Sequence, residues 1–181
     1  DDKQTKKKLK LQMILQSVYY YNGEHQKAYK LGTELLKHIN SDEKLFSQYM
    51  YIAIVNATAL SAVEANLDYS EYFAILKNYL KNTENIDDDI KETIGWLYAQ
   101  EGNYNLAETL ITESIKVRNN FSALGMTEVY YHLGYIYYKK NNERLASIYL
   151  NQAIKYGKNN YFAKKSMQYL MQLKQYKAAS L

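Results

Sequence analysis

Antiparallel helix pairs stacked into an all-α solenoid of about four and a half repeats are what the sequence predicts, on three observations. None of the 181 residues is proline and only seven are glycine. Helix interiors reject proline most strongly, by about 3 kcal/mol, so its absence suits helices joined by short turns. Apolar residues recur at helical spacing, as at Ile90, Ile94, Leu97 and Tyr98, which share one helix face. Finally, Ile94-Gly95-Trp96-Leu97-Tyr98, Gly102 and Ala107 return thirty-nine residues later as Leu133-Gly134-Tyr135-Ile136-Tyr137, Asn141 and Ala146. Self-similarity at such a period marks a stacked-repeat architecture.

The units follow in order along one array spanning 1–181. The first, roughly 8–40, places Leu15, Tyr19, Gly23, Ala28, Leu35 and Leu36 at the repeat positions. The second, roughly 44–82, is degenerate and uses Ala59, Leu60, Val63, Leu67, Tyr72, Leu76, Tyr79 and Leu80. Its helix start is expected at Ser41, where Asp42 and Glu43 add negative charge at the amino end. The third, roughly 88–119, opens on Asp89 with Glu92 three residues on, a capping-box spacing. Its first helix ends at Gly102-Asn103, glycine supplying a left-handed cap, and Leu106, Ala107, Leu110, Ile111, Ser114 and Ile115 stripe the second. The fourth, roughly 126–158, repeats this register, and 160–176 is a fifth, incomplete unit. Leu15, Ala59, Ile94 and Leu133 are thus equivalent, and Asn40-Ser41, Asn82 to Asn85, Asn119-Asn120 and Asn159-Asn160 punctuate the pairs.

Composition excludes several functions. With no cysteine there is no disulfide, thiolate zinc site or cysteine nucleophile, and a reducing cytoplasm is the expected location. No run approaches the roughly 20 apolar residues that cross a bilayer. Net charge is +4, but nine Lys/Arg against Glu143 alone make the segment from Tyr138 onward +8, leaving −4 for the rest. Only Arg118 and Arg144 supply the planar forks suited to phosphates and base edges, so nucleic-acid binding by these residues is a weak reading. His25, His38 and His132 lack the i, i+3 or i+4 pairing of helical metal ligands, and Asp87-Asp88-Asp89 is explained by helix capping. With no phosphate loop and no triad context, no enzyme, cofactor or metal is expected.

The repeat pattern resembles the tetratricopeptide repeat family. The likeness rests on Gly95, Tyr98, Gly102 and Ala107, on Tyr130, Leu133, Gly134, Tyr137, Ala146 and Ala153, and on Tyr19, Gly23 and Ala28. It departs from that family in spacings above the usual 34, in the missing closing proline, and at Tyr72, where alanine is expected. The resemblance implies a right-handed superhelix of antiparallel helix pairs whose first helices line a concave groove. Its walls would include Tyr20 and Tyr21 in the first unit, Glu92, Trp96, Ala99 and Gln100 in the third, and Tyr131, Tyr135, Tyr138 and Lys139 in the fourth. In the fourth unit, Tyr130 and Tyr137 share a side with Leu133 and Gly134 and are expected to pack between repeats, whereas Tyr131, Tyr135 and Tyr138 form a second ladder. That ladder is expected either to bind an extended peptide or protein tail or to pack under an added carboxyl-terminal helix. Lys139, Lys164 and Lys165 at the rim, with Lys10 at the far end, would take a peptide carboxylate or acidic side chain, and Gln168 joins the expected peptide-binding set.

A narrower resemblance concerns Phe46 to Ala53, Leu67 to Leu76 and Ile94 to Ala107, similar in order and helix length to the peptide pheromone receptors of Gram-positive bacteria, the RNPP group and PlcR-type regulators in particular. It implies a cytoplasmic, homodimeric peptide sensor for quorum signalling, touching DNA only through a domain before residue 1. A general interaction scaffold, or a regulator that sequesters a protein, is the alternative.

Overall fold

The computed structural model describes residues 2–41, 47–117 and 122–179, and every element among them is an α-helix. In order these are α1 (Asp2–Tyr21), α2 (His25–Ser41), α3 (Gln48–Glu64), α4 (Ser70–Asn82), α5 (Asp88–Gln100), α6 (Tyr104–Val117), α7 (Ala123–Lys139), α8 (Glu143–Gly157) and α9 (Tyr161–Ala179). Among the described residues, no helix is long and apolar enough to cross a membrane.

The four tight turns reveal the repeat most directly. Gly23, Asn66, Gly102 and Asn141 all take positive φ, at 84°, 55°, 81° and 57°. Each donates its N–H to the carbonyl three residues back, and the next residue donates to the carbonyl five back: Glu24 to Tyr19, Leu67 to Ala62, Asn103 to Tyr98 and Asn142 to Tyr137. This is the Schellman closure, satisfying carbonyls that a helix end otherwise leaves orphaned. It also corrects the register of the second unit. Counting back eight residues from each turn gives Leu15, Thr58, Ile94 and Leu133, so Thr58 rather than Ala59 is the equivalent residue. The turn after Asn66 is two residues longer than the others, with Asp68 accepting from the Ser70 N–H at 2.9 Å. Phe73, not Tyr72, therefore stands where Ala28, Ala107 and Ala146 stand in their helices. All four of these residues are buried.

Two helix starts also differ from expectation. Ser41 ends α2, while α3 begins at Gln48 with Ser47 as its cap, the Ser47 hydroxyl accepting from the Met50 N–H at 3.3 Å. The expected start at Asp42 and Glu43, like Phe46, Arg118 and Asn119-Asn120, lies outside the described residues. α5 begins one residue before Asp89, which places Asp88 and Asp89 together in the first turn, where negative charge suits the dipole.

The chain divides into two compact units, Asp1–Leu97 and Tyr98–Leu181, the division falling within α5. In the first, α1 packs on α2 and α3, and α3 on α4. Leu9, Leu35, Ile39 and Ile54 form the core there, flanked by Met13, Leu31, Leu36 and Tyr51. Burying each such aliphatic side chain contributes about 1.5–3 kcal/mol. Gln16 is also buried, and its amide donates to Thr58 Oγ1 at 3.2 Å. That bond passes over Gly32, where any Cβ would run into both side chains, so glycine is what lets the three helices meet.

In the second unit α7 is central, packing on α6, α8 and α9. Gly134 allows its approach to α8, since a Cβ there would lie 2.7 Å from Leu150 Cγ. Tyr137 stacks on Tyr149 at 5.4 Å with planes 5° apart, and Tyr130 meets Tyr149 and Tyr156 at 6.1 and 5.5 Å. Tyr130 and Tyr137 thus pack mainly within their own helix pair rather than between repeats. Tyr137 alone also bridges to α6, donating its hydroxyl to Glu108 Oε1 at 2.7 Å.

Candidate functional site: the aromatic face of α7 and α9

Side chains of α7 project every third or fourth residue, so Tyr131, Tyr135 and Tyr138 lie along one side of the helix. On α9, Phe162, Lys165, Tyr169 and Gln172 fall on one arc for the same reason. Asn160 fixes where α9 starts, its side-chain oxygen accepting from the Ala163 N–H at 2.9 Å. The two arcs meet at Tyr169. Its ring centroid lies 6.2 Å from Tyr131, 5.6 Å from Tyr135 and 5.0 Å from Tyr138, the last two edge-on. Edge-to-face contacts of this kind satisfy the ring quadrupoles and are worth about 0.5–1.5 kcal/mol each beyond area burial.

The face grades from buried to open along its length. Tyr131 is 1% exposed, seated between Phe162 at 5.3 Å and Tyr169. Tyr135 and Tyr138 are half-buried, and Lys139 and Gln168 are exposed. Beyond Tyr138 the two helices leave a pocket of about 240 Å³ lined by Tyr138, Lys139, Asn141, Glu143, Gln172 and Leu173. The Tyr138 hydroxyl donates to Gln172 Oε1 at 3.3 Å across its mouth.

Cations are held against the rings. Lys139 Nζ stands 5.4 Å from the Tyr135 centroid, and Lys165 Nζ stands 4.9 Å from Tyr161 and 5.6 Å from Tyr131. An ammonium over a tyrosine face is attracted by about 0.5–1 kcal/mol at an exposed site, enough to bias its position. The face therefore combines apolar rings, phenol and amide hydrogen-bonding groups and two positioned ammonium groups. That inventory suits recognition of an extended chain bearing carboxylates.

A second polar cluster lies between α6 and α7. Lys140 Nζ donates to Glu108 Oε2 and to Asn105 Oδ1, the latter at 2.9 Å, while Tyr137 donates to the other Glu108 oxygen. Burial alone would raise the Glu108 carboxyl, but the hydrogen bonds from Lys140 and Tyr137, with the Lys140 charge, outweigh it and hold it below the usual carboxylate range. The Tyr137 phenol is pushed up by burial first and by the Glu108 bond second. These groups, Glu108 and Lys140 partly exposed among them, tie α7 to α6.

The helix pairs, the shared turn and the buried alanines at Ala107 and Ala146 set the terms of comparison with known proteins. Residues 89–121 and 127–160 match the tetratricopeptide repeat family. No curated protein and no solved structure matches the chain significantly. The second tetratricopeptide repeat, 127–160, contains α7 from Thr127 onward and all of α8, so the aromatic face is built on its first helix.

The other expected groove residues fall elsewhere. Tyr20, Tyr21 and Trp96 belong to the unit Asp1–Leu97. Tyr20 is 5% exposed and packs edge-on against Tyr21 and His25, and Trp96 is 2% exposed, so neither offers a free ring. Glu92 and Ala99 are buried as well, and burial pushes the Glu92 carboxyl up to about 8. Gln100 is half-buried, its Nε2 without a hydrogen-bond partner among the described residues. Of the expected set, the structure brings together Tyr131, Tyr135, Tyr138, Lys139 and Lys165, with Tyr131 serving as the floor, while Gln168 is an exposed residue of α9. The added-helix alternative describes all three rings, which meet Tyr169 of α9, although Tyr135 and Tyr138 keep part of their surface exposed. Tyr169 and Gln172 are missing from the expected set, although their i+4 and i+7 spacing from Lys165 was there to be read.

Proposed function

We propose that this chain is a helical-repeat interaction module that captures a short peptide or protein tail on the α7–α9 face, with no chemical step of its own. The observation that supports this most is the open end of the tyrosine ladder, where Tyr138, Lys139 and Gln172 line a pocket and the Lys139 ammonium also stands against the Tyr135 ring. An apolar side chain of the ligand would enter beside Tyr138, while a carboxylate, terminal or side-chain, would meet Lys139, and Lys165 would serve an acidic group at the other end of the ladder. In the finer reading the ligand is an imported signalling peptide and the chain the sensing part of a cytoplasmic, homodimeric transcription regulator, with any DNA-binding domain before residue 1. The resemblance of its irregular, tyrosine-rich repeats to the Gram-positive pheromone receptors supports that reading. The tetratricopeptide repeats support a general interaction scaffold equally well.

Calorimetric titration with a panel of synthetic peptides of five to ten residues, each as free acid and as carboxyl-terminal amide, tests both. Saturable binding of a free acid, weakened by Tyr135→Ala and by Lys139→Gln and lost on amidation, is the expected result. Failure of every peptide, with a folded protein recovered as partner instead, would move the function to the scaffold reading.

A further inference from the structure

α1 carries an apolar stripe that its own unit leaves uncovered. At 100° per residue, Leu9, Met13, Gln16 and Tyr20 point one way. They are buried or half-buried, on the side that packs against α2 and α3. Leu11, Ile14, Leu15 and Val18 point the opposite way and are all exposed, Leu11 at 58% and Ile14 at 60%. Their spacing is i, i+3, i+4 and i+7, the pattern by which one helix is read by another. A contiguous exposed apolar patch marks an interaction surface rather than ordinary surface scatter.

Charge decides what covers it. Between Gln4 and Asn22 the chain has no acidic residue, whereas Lys6, Lys7, Lys8 and Lys10 are all exposed, Lys7 and Lys8 on the stripe's own side. A second copy set parallel would place these lysines on one another. Set antiparallel, it would meet them with Tyr21 and Asn22, which bring no carboxylate. A helix made to lie on an anionic bilayer carries cations along both flanks of its apolar face. Here the cations stop at Lys10 and the apolar anchors begin at Leu11, so charge and stripe are separated along the axis. The complement is a helix whose short apolar stripe continues, at one end, into carboxylates. We infer that the outer face of α1 docks an acidic amphipathic helix of a partner protein, through Leu11, Ile14, Leu15 and Val18 with Lys7 and Lys8 as the electrostatic end.

The inference is independent of the α7–α9 reading, and its test keeps the two apart. The probe is a fluorescein-labelled 21-residue synthetic helix with leucines at i, i+3, i+4 and i+7 and a glutamate cluster at one end. Its control has glutamine for every glutamate. Fluorescence anisotropy with the full chain should show saturable binding of the acidic helix, weakened at least tenfold by Ile14→Gln with Val18→Gln. Lys7→Gln with Lys8→Gln should weaken it and remove its salt dependence, and the control helix should bind several-fold more weakly. Tyr135→Ala should leave binding unchanged. Lys7, Lys8, Ile14 and Val18 are all exposed, so circular dichroism of those variants should show the fold intact. No saturable binding, or binding indifferent to the Ile14 and Val18 changes, overturns the inference. So does uptake by phosphatidylserine vesicles, or a dimer in sedimentation equilibrium that those changes dissolve.

Discussion

Tyr131 and Tyr135 are four residues apart on one helix, yet they differ in what their removal should do. Tyr131 is the buried floor between Phe162 and Tyr169, and truncating a buried aromatic costs about 3–5 kcal/mol. Tyr135 loses one edge contact with Tyr169 and one cation contact with Lys139, together worth about 1–2 kcal/mol. Thermal melts should therefore separate Tyr131→Ala, strongly destabilised, from Tyr135→Ala, which keeps most of its melting temperature while losing peptide affinity. A large melting loss in Tyr135→Ala would place that ring in the core. The Glu108 cluster gives a second prediction at this scale. Because the folded carboxyl sits below its unfolded value of about 4.3, its stabilisation is complete above that value and is lost as pH falls through the folded one. Glu108→Gln should lower the melting temperature near pH 6 by about 2–4 °C, for a partly exposed pair worth about 1 kcal/mol. The difference from wild type should vanish as pH falls towards 3. A difference that persists at low pH would mean that the Tyr137 and Lys140 bonds do not need the charged carboxylate.

Among elements, the turns repeat more faithfully than the helices. A non-glycine residue in the left-handed region costs about 1–2 kcal/mol, and asparagine tolerates it best. Asn66→Ala should accordingly destabilise by about 1 kcal/mol, while Asn66→Gly should match or exceed wild type in a denaturant titration. Equal loss in both would show that the Asn66 side chain, not its backbone angle, holds the turn. This element also shows what could be read in advance. Helix content, pair order and the turns at Gly23, Gly102 and Asn141 follow from local sequence, because glycine or asparagine there has a backbone reason to recur. The second unit does not read correctly. Its turn glycine is replaced by Asn66, two residues lengthen the turn, and Phe73 fills the place of a small alanine, so spacing alone slides the alignment by one residue. The candidate site was half legible for a related reason. Periodicity states which side of α7 Tyr131, Tyr135 and Tyr138 share, but burial depends on α9, and Tyr169 is visible as the hub only once the two helices are packed.

At the scale of the whole molecule, charge is distributed more unevenly than mass. The segment from Tyr138 onward carries +8 and the remainder −4, summing to the net +4. Within that cationic segment lie both lysines of the α7–α9 face, Lys139 at its open end and Lys165 at its buried end. A field of one sign around a site raises the encounter rate of an oppositely charged ligand and is screened over about 8 Å at physiological salt. In the proposed peptide complex the off-rate would answer instead to short contacts with Tyr135, Tyr138 and Gln172, which salt touches little. For an acidic peptide, stopped-flow association should therefore slow several-fold between about 50 and 300 mM salt while dissociation stays nearly constant, and a neutral peptide of equal length should show neither effect. Replacing Lys155, Lys158 and Lys174 by glutamine, none of which touches the site rings, should reduce the salt dependence without altering the off-rate. If salt instead acts on dissociation, the lysines bind the ligand at contact distance and the charge asymmetry does not steer it.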